Sequence, residues 1–569
     1  MVKSKKKSNL KTKGKSTKTT EKKATRKEIK QPPRVKSSEF LKNFQGLIDQ
    51  RQFAEAQKYL DSAASLEKWQ RLNLQSLVEH RLNRRGKAIE CLLQALREPD
   101  CQNTVNKNLA MLYASEGQLR EALPYAEKAY KLIKNDLRLT QVYLNCLLDL
   151  SKTDQVLGIT EDALKIFPDD RAILVSRASA LRSVGRKEES KELLEKLIEM
   201  FPGEPVVYRI KADLLGDENP LEALPLYEKA LEVSVEKTKR PDPAVQWNMS
   251  LHLLRVRDIE RGWAFWEQGF HPVVGTMGRN LPDRIKTMDR ADKGKPIDKN
   301  KWTIVVSEQG IGDQILFLSV MNEAIEEFGK ILLIAEARMH AILKRSFPNL
   351  LVAGPGMTYT WANSPVNKNG YVPLGSLPGR YRKTVECFEK GRAPFLIANK
   401  DKFEKYRKIL RERANGKPII GISWRGGYWA IQRKTKALEL EHWEPIFKKN
   451  ALFVNLQYGD IRPELKYLVE KKHQLTVFKG IDFQSDLDDW LSIAGACDGI
   501  ISISTALVHF AGAIGQKVAI VMPAQYGPWH LGISDHRSIA YKNVRIFRPT
   551  QKEPLTSLIQ RVADLIITK

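Results

Sequence analysis

The stretch NLAMLYASEGQLREALPYAEKAYKL, residues 108–132, decides the fold of the first half of the chain. It contains two apolar, helix-like segments joined by a turn at Gly117. The small residues Ala122 and Ala129 let helices approach closely, while large residues such as Tyr113 fill the gaps between them. Because a helix pair of this kind cannot bury its apolar face alone, the stretch predicts that neighbouring copies stack on it.

Copies of this pattern recur at a fixed step along the chain. A step of 34 residues joins Ala95, Ala129, Ala163 and Leu197, then Ala88, Ala122, Val156 and Ser190 seven positions upstream, and also Pro168 and Pro202. This period is that of the tetratricopeptide repeat, a helix–turn–helix unit that stacks into an α-solenoid. We therefore expect such repeats over residues 41–270. Solenoids of this type either bind a peptide or protein or serve only as a scaffold, so the repeats predict a protein partner.

The first 40 residues form a strongly basic segment. They contain fifteen Lys or Arg residues against three Glu residues, within a chain of net charge +27. Abundant Lys, Ser and Thr with few large apolar residues predict a disordered tail. Such a tail either only adds solubility or tethers the chain to an acidic partner, an anionic membrane surface or nucleic acid. The scarcity of aromatic residues, on which bases stack, disfavours a specific nucleic-acid role.

The composition of the chain limits the cellular compartments in which the protein is expected. The start, MVKSKKKSNL, is charged but lacks the apolar core of a secretory signal. No apolar run reaches the length of about 20 residues that a membrane helix needs. The five cysteines are scattered and form no CxxC pair, which argues against a disulfide framework and against a zinc site. We expect a cytoplasmic protein, or one at the periphery of a membrane.

The pattern changes near Lys301, where strand-like runs begin to alternate with glycine turns and amphipathic helices. The polar stretch 271–300 suggests a linker or an entry segment. WTIVVSEQGIGD opens one block over 301–415, and PIIGISWRGG opens a second over 416–569. This alternation predicts parallel sheets in two Rossmann-like lobes, with a ligand cleft between them.

The first motif that could carry chemistry is Ser307–Asp313. Its glycines, Gly310 and Gly312, let the backbone approach a ligand, and the helix that follows offers free N–H donors. Asp313 would lie at the mouth of the first sheet, where it can act as a base. The alternative is a strand-to-helix turn in which Asp313 only caps the helix.

The second motif is Ser502–Gly512, where a predicted strand ends and a helix begins. Ser504 or Thr505 can cap this helix, and the free N–H groups around Ala506 can bind a phosphate oxygen. His509 lies one turn further, on the same helix face as Thr505. It can reach a bound diphosphate, or it is a core histidine with its hydrogen bonds satisfied.

The third motif is Trp424–Gly427, which follows a predicted strand and precedes Arg433 and Lys434. Cations beside a glycine turn, Arg425 among them, can stabilise a phosphate leaving group. The alternative is a basic surface loop.

Taken together, these motifs resemble a known family. EQGIGDQILF, YVPLGSLPG, IGISWRGG, LFVNLQ and the run IDFQSDLDDWLSIAGACDGIISISTALVHFAGAIG resemble bacterial tetratricopeptide-repeat glycosyltransferases. Those enzymes have a heptosyltransferase-like catalytic half and are distantly similar to O-linked N-acetylglucosamine transferases. The resemblance covers about residues 243–549. It implies a GT-B fold, in which two Rossmann-like lobes bind a nucleotide-sugar as substrate, mostly in the C-terminal lobe, with no metal and no cofactor.

The resemblance also implies roles for individual residues. Asp313 matches the acidic residue proposed as the acceptor base. Thr505 and His509 match donor-binding positions at the phosphate helix, and His509 is also the second expected catalytic residue. The sequence departs from the family at Ser504, where Asp is usual. The other expected donor-binding residues are Gly310, Gly312, Trp424, Arg425, Arg433, Lys434, Gln457, Ser504 and Ala506.

The leading hypothesis is a metal-independent glycosyltransferase that moves a sugar from a nucleotide-sugar to a protein or glycan acceptor, with the repeats recruiting the acceptor. The alternative is a non-catalytic repeat scaffold that carries an inactive glycosyltransferase-like domain, which Ser504 in place of Asp supports. A third hypothesis is nucleic-acid binding through the basic tail, with an affinity that falls steeply with salt.

Overall fold

The computed structural model describes residues 37–63, 66–98, 101–216, 218–294, 296–357, 367–426, 438–522, 527–550 and 553–567. The chain forms two compact units, one that ends at Val105 and one that begins at Asn106. Arg433, Lys434 and the basic tail up to residue 36 lie outside the described residues. None of the helices in the described ranges has the length and hydropathy that spanning a bilayer requires.

Helices make up the whole repeat region. In chain order they are α1 Ser37–Asp49, α2 Phe53–Asp61, α3 Lys68–Arg81, α4 Arg85–Ala95, α5 Gln102–Ser115, α6 Leu119–Leu132, α7 Leu137–Asp149, α8 Thr153–Ile166, α9 Arg171–Ser183, α10 Lys187–Met200, α11 Pro205–Gly216, α12 Pro220–Thr238, α13 Pro243–Arg255 and α14 Ile259–Trp266. In the first unit, α1, α2 and α3 bury a shared cluster that includes Phe44, Leu60 and Val78.

The 34-residue ladder forms the core of the stack. Each helix from α6 to α14 contacts the next helix along the chain. The ladder residues Ala122, Ala129, Val156, Ala163, Ser190 and Leu197 are fully buried. The alanines and Ser190 among them are small and let neighbouring helices pack closely, and the predicted helical-repeat solenoid is thereby confirmed.

A parallel sheet of four strands follows the repeats, in the order β3-β2-β1-β4. The strands are β1 Trp302–Val306, β2 Ile331–Ile334, β3 Leu351–Ala353 and β4 Lys368–Pro373. The helices of this region are α15 Asp283–Lys286, α16 Ile311–Leu318, α17 Met321–Phe328, α18 His340–Ser346, α19 Leu377–Tyr381 and α20 Val385–Lys390. The strand order reverses between β1 and β4, so a crevice opens at their carboxyl ends.

A second parallel sheet has five strands in the order β6-β5-β7-β8-β9. The strands are β5 Ile419–Ser423, β6 Leu452–Asn455, β7 Gly499–Ser502, β8 Val518–Val521 and β9 Val544–Phe547. The helices are α21 Lys400–Ala414, α22 Glu444–Phe447, α23 Arg462–Glu470, α24 Leu487–Ala496, α25 Ala506–Ala513 and α26 Leu555–Ile566. Here the order reverses between β5 and β7. Parallel sheets with flanking helices agree with the α/β class predicted for this half.

Two segments lie elsewhere than the sequence suggests. The stretch 271–300, interpreted as a linker, is built onto the first sheet, because Tyr371 of β4 exchanges backbone hydrogen bonds with Asp289 and Ala291 at 3.0 and 2.8 Å. Helix α21, which the sequence assigns to the first lobe, contacts α24 of the second lobe. Lys402 pairs there with Asp489 at 2.6 Å. From the sequence alone, the polar residues of the stretch 271–300 cannot be distinguished from those of a solvent-exposed linker.

Candidate functional site

The first and second motifs face each other across the junction of the two sheets. One turn leads from β1 into α16, the other leads from β7 into α25, and the two helices contact each other. A Cβ atom added at Gly312 would lie 3.0 Å from Cδ2 of His509 and 3.6 Å from Cα of Ala506. Position 312 therefore needs glycine because the second helix approaches so closely.

The turn after β1 holds a non-glycine residue in a left-handed conformation. Gln309 has a φ of 70°, whereas Gly310 has a φ of −69° as the N-cap of α16. The side chain of Gln314 donates to the backbone oxygen of Gln309 at 3.1 Å, which stabilises the turn. Strained backbone of this kind often marks functional sites. Gln309 is not recognisable from the sequence, because the neighbouring glycines are the residue type that usually adopts a left-handed conformation.

Asp313 lies at the third position of α16 and is half-buried. Its carboxylate folds back towards the helix start, since a Cβ atom added at Gly310 would lie 3.3 Å from its Oδ2 atom. Burial, together with the nearby negative charge of Asp313, raises the pKa of Tyr541 well above its usual value. Asp313 therefore lies at the helix start, as the sequence predicts. It also lies near Tyr541, which the sequence does not link to this motif.

His509 is buried at the centre of this junction. Its Nδ1 atom shares a hydrogen bond of 3.1 Å with the hydroxyl of Tyr541, and its ring centroid lies 4.7 Å from that of His530. Burial lowers the pKa of His509 to about 4, so the imidazole is neutral near pH 7. No spacing in the sequence links Tyr541 or His530 to the motifs, and their part in the junction emerges only from the tertiary structure.

Thr505 is the N-cap residue of α25, but its hydroxyl does not cap the helix. The Oγ1 atom is buried and has no hydrogen-bond partner among the described residues, and the residue is only 8% exposed. An unpaired buried hydroxyl costs about 1–3 kcal/mol. The capping role that the sequence allows for Thr505 is therefore not realised, and its hydroxyl is free for a ligand at the helix N-terminus.

Two residues of the predicted donor site shape the backbone of the turn after β5. The side-chain oxygen of Gln457 accepts from the backbone N–H groups of Trp424 and Arg425 at 3.1 and 2.9 Å, and from the hydroxyl of Ser423 at 3.0 Å. Trp424 and Gln457 are each 1% exposed. Their side chains therefore act through the protein itself, whereas the sequence suggests direct contact with a donor.

Arg425 is fixed beside the Thr505 turn. Its Nε atom pairs with Glu464 at 2.5 Å, and its Nη2 atom donates to the backbone oxygen of Asp460 at 2.5 Å. Gly426 is the point of closest approach, since a Cβ atom there would lie 3.2 Å from Cγ2 of Thr505. Gly426 and the uncapped start of α25 thus meet at the crevice between β5 and β7, whereas the guanidinium of Arg425 is held by residues that follow β6.

The corresponding crevice of the first sheet is filled by protein groups. Glu308 and Arg279 form an ion pair of 2.7 Å in which neither side chain is exposed. Glu308 also accepts from the backbone N–H of Gly375, just after β4, at 2.9 Å. Glu308 and Arg279 thus occupy the carboxyl ends of β1 and β4, and the β5–β7 crevice is taken as the candidate binding site.

The expected site residues fall into three groups. Brought together at the junction are Gly310, Gly312, Asp313, Ser504, Thr505, Ala506 and His509. Trp424, Arg425 and Gln457 form the adjacent turn, and Arg433 and Lys434 lie outside the described residues. Within the part of the chain that the structure describes, no three His, Cys, Asp or Glu side chains are grouped to hold a metal ion.

Comparison with known proteins identifies the repeats. The tetratricopeptide repeat family matches residues 108–136 and 172–204, which confirms the prediction from the 34-residue step. Protein FlbA of Caulobacter vibrioides is 23% identical over 437 residues, which are 72% of this chain and 70% of FlbA.

Solved structures with repeats are also similar. A tetratricopeptide repeat protein from Parabacteroides merdae has a TM-score of 0.34 and 17% identity, over 41% of this chain and 91% of that protein. YrrB, described as a TPR protein with an unusual peptide-binding site, has a TM-score of 0.26 and 18% identity, over 29% of this chain and 84% of YrrB. The family match by itself shows that the chain contains tetratricopeptide repeats, and repeats of this kind provide surfaces for protein partners.

Proposed function

We propose that the chain is a glycosyltransferase of the GT-B type, which moves a sugar from a nucleotide-sugar to a protein or glycan acceptor. The observation that carries this proposal is the buried hydroxyl of Thr505, which has no partner among the described residues and lies at the uncapped start of α25. A diphosphate oxygen bound there would satisfy both the hydroxyl and the first N–H groups of the helix.

Several features support the binding of a diphosphate without a metal ion. The N-terminus of a helix carries a partial positive charge, which favours an anion. The guanidinium of Arg425 lies in the adjacent turn, where it is oriented by an ion pair with Glu464 and a hydrogen bond to the backbone oxygen of Asp460. Fixed donors and charges of this kind stabilise a leaving group because they are already oriented before the reaction.

Asp313 is the group proposed to activate the acceptor. It removes the proton from an acceptor hydroxyl, and the oxygen attacks the anomeric carbon of the donor sugar. The bond between that carbon and the diphosphate oxygen breaks, and the nucleoside diphosphate leaves towards α25. A single displacement of this kind inverts the anomeric configuration. The half-buried position of Asp313, across the junction from α25, supports this role.

The repeats supply the acceptor in this proposal. A solenoid can hold an extended partner along its surface, which raises the local concentration of the acceptor near the junction. The five cysteines are all free thiols, which fits a reducing compartment such as the cytoplasm.

The proposal is tested by donor binding and turnover in the full chain. UDP-, GDP-, ADP- and CDP-sugars are screened by calorimetry, and release of nucleoside diphosphate from the sugar that binds is then measured. Asp313→Asn is expected to retain donor binding and lose at least about 100-fold in turnover, as removal of a general base does. Asp401→Asn is the matched control, since Asp401 also lies in the first turn of a helix and is exposed.

The second candidate function is a repeat scaffold with a catalytically inactive α/β half. Ser504 in place of the family's Asp favours it, as does the burial of Trp424 and Gln457, which withholds two expected donor contacts. If no nucleotide-sugar binds, this second function replaces the transferase. Equal turnover of Asp313→Asn and wild type would instead refute the role of Asp313.

A further inference from the structure

His530 contacts His509 and lies on a short helical turn, Trp529–Leu531. It is 3% exposed, so the position of its ring is fixed by the backbone that carries it. The contacts that hold the Trp529–Asp535 segment in place therefore also affect the packing around His509.

Two arginines bind the backbone oxygens of this segment. Arg548 donates to the oxygens of Leu531 and Gly532 at 2.7 and 3.1 Å. Arg257 donates to those of Trp529 and His530 at 3.0 and 3.4 Å. Successive carbonyl groups are thus held from two sides, which leaves the turn little freedom.

Arg257 belongs to the last repeat, in the turn between α13 and α14. It has a left-handed φ of 73°, and its guanidinium also pairs with the carboxylate of Asp535. Its side chain is 17% exposed, so this ion pair is largely shielded from solvent. Arg257 is therefore the last repeat's direct contact with the backbone beside the site.

Tryptophans of the same repeat fix its position against the first lobe. Trp263 donates to the backbone oxygen of Arg382 at 3.0 Å, and Trp266 donates to that of Gly375 at 2.8 Å. The ring of Trp529 meets that of Trp263 edge-on at 5.4 Å. The last repeat is thus anchored to the first lobe while it holds the Trp529–Asp535 segment.

We propose that Arg257 is a positioning residue for the site, which holds His530 against His509 through the Trp529–Asp535 segment. The proposal rests on the proposed function only for what the site catalyses, because the placement of the two rings follows from contacts within the chain. It makes the last repeat a part of the site's architecture, so a partner that displaces α13 and α14 also displaces His530.

The test uses nuclear magnetic resonance of the full chain with 15N-labelled histidine rings. The chain has nine histidines, and His509→Gln and His530→Gln assign the two signals of interest. Arg257→Ala is expected to shift the ring signals of both His530 and His509. Arg261→Ala is the matched control, because Arg261 lies in the same repeat but pairs with Asp258 and with Glu228 of α12, and it is expected to leave both signals in place.

Asp535→Asn covers the case in which Arg257→Ala does not fold. It removes the ion pair but keeps the arginine, so a smaller shift in the same direction is expected, and Arg257→Lys should restore part of the wild-type spectrum. Unchanged signals of His509 in a folded Arg257→Ala or Asp535→Asn variant would overturn the proposal. Because no donor is needed for these spectra, a failure of the transferase proposal would be seen separately, as a lack of donor binding.

Discussion

At the scale of single residues, Gly312 shows how one missing side chain lets two helices meet. The motif predicts that this glycine lets the backbone approach a ligand, and the left-handed residue of the turn is Gln309. Gly312 is instead the point where α25 approaches α16, within 3.0 Å of a would-be Cβ atom. Glycine is needed at position 312 because two helices approach closely there, whereas the motif suggests the approach of a ligand.

Gly312→Ala should therefore destabilise the chain. The added methyl group must displace His509 or separate the helices, and overpacking of this kind costs about 1–3 kcal/mol. Denaturation by urea measures the loss in free energy of unfolding.

Gly158→Ala provides the matched control for this substitution. Gly158 is an exposed residue inside α8, and no described atom lies within 4 Å of a Cβ atom placed there. Alanine should stabilise that helix by about 0.5–1 kcal/mol. A Gly312→Ala variant as stable as wild type would show that α16 and α25 are not in contact at this point.

At the scale of elements, one turn between repeat helices requires a left-handed backbone conformation from a residue that is not glycine. Gly117 and Gly185 adopt left-handed φ values of 72° and 84°, and Ser151 adopts 55° at the corresponding turn. The repeat geometry thus imposes the conformation whether or not the residue prefers it. A left-handed non-glycine residue costs about 1–2 kcal/mol, which the packing of α7 and α8 must offset.

Ser151→Gly should therefore stabilise the repeats by about 1 kcal/mol. Ser183→Gly is the matched control, because Ser183 is an exposed residue at the end of α9 and there glycine should destabilise by up to about 1 kcal/mol. Thermal unfolding of the two variants measures both effects. A destabilised Ser151→Gly variant would contradict the strain at this turn.

The sequence predicts the repeats well but predicts the stretch 271–300 and the contacts of the candidate site less well. A fixed 34-residue step predicts the repeats because many buried positions recur together. Polarity alone does not distinguish a solvated arginine from one such as Arg279, which is fully buried against Glu308, so the packing of the stretch 271–300 against the first sheet is not predictable from the sequence. The two helix starts of the site were predicted from glycines and capping residues. Their partners Tyr541 and His530 were not, since only the tertiary structure brings them to His509.

At the scale of the whole molecule, buried neutral histidines link stability to pH. His252 in α13 is 7% exposed, and burial, with Arg255 and Arg182 nearby, lowers its pKa to about 3. The unfolded chain has its ordinary histidine pKa of 6.5. Below pH 6.5 the unfolded state therefore binds a proton that the folded state does not, and stability is lost as the pH falls towards 3.

His252→Gln should therefore weaken the acid sensitivity of the protein. Between pH 6.5 and 5 the wild-type histidine accounts for a loss of about 1.7 kcal/mol, because the unfolded histidine is half protonated at pH 6.5 and each pH unit well below that corresponds to about 1.4 kcal/mol. Unfolding free energies measured at both pH values give this difference directly. His536→Gln is the control because His536 is exposed. Equal pH dependence in the His252→Gln variant and wild type would contradict a neutral, buried His252.

The central claim, that the start of α25 binds a donor diphosphate, is tested most directly by Thr505→Val. Valine removes the unpaired hydroxyl but keeps the shape, so the apparent melting temperature should stay the same or rise. Calorimetry with the nucleotide-sugar that binds should show a loss of affinity of about tenfold or more, the effect of a lost hydrogen bond to a charged group.

Thr384→Val is the matched control, because the hydroxyl of Thr384 does cap its helix by accepting from the backbone N–H of Cys387 at 3.4 Å. That variant should lose stability and keep its donor affinity. The account predicts this opposite behaviour of the two threonines. Unchanged donor affinity in Thr505→Val, with a loss of stability like that of Thr384→Val, would contradict it.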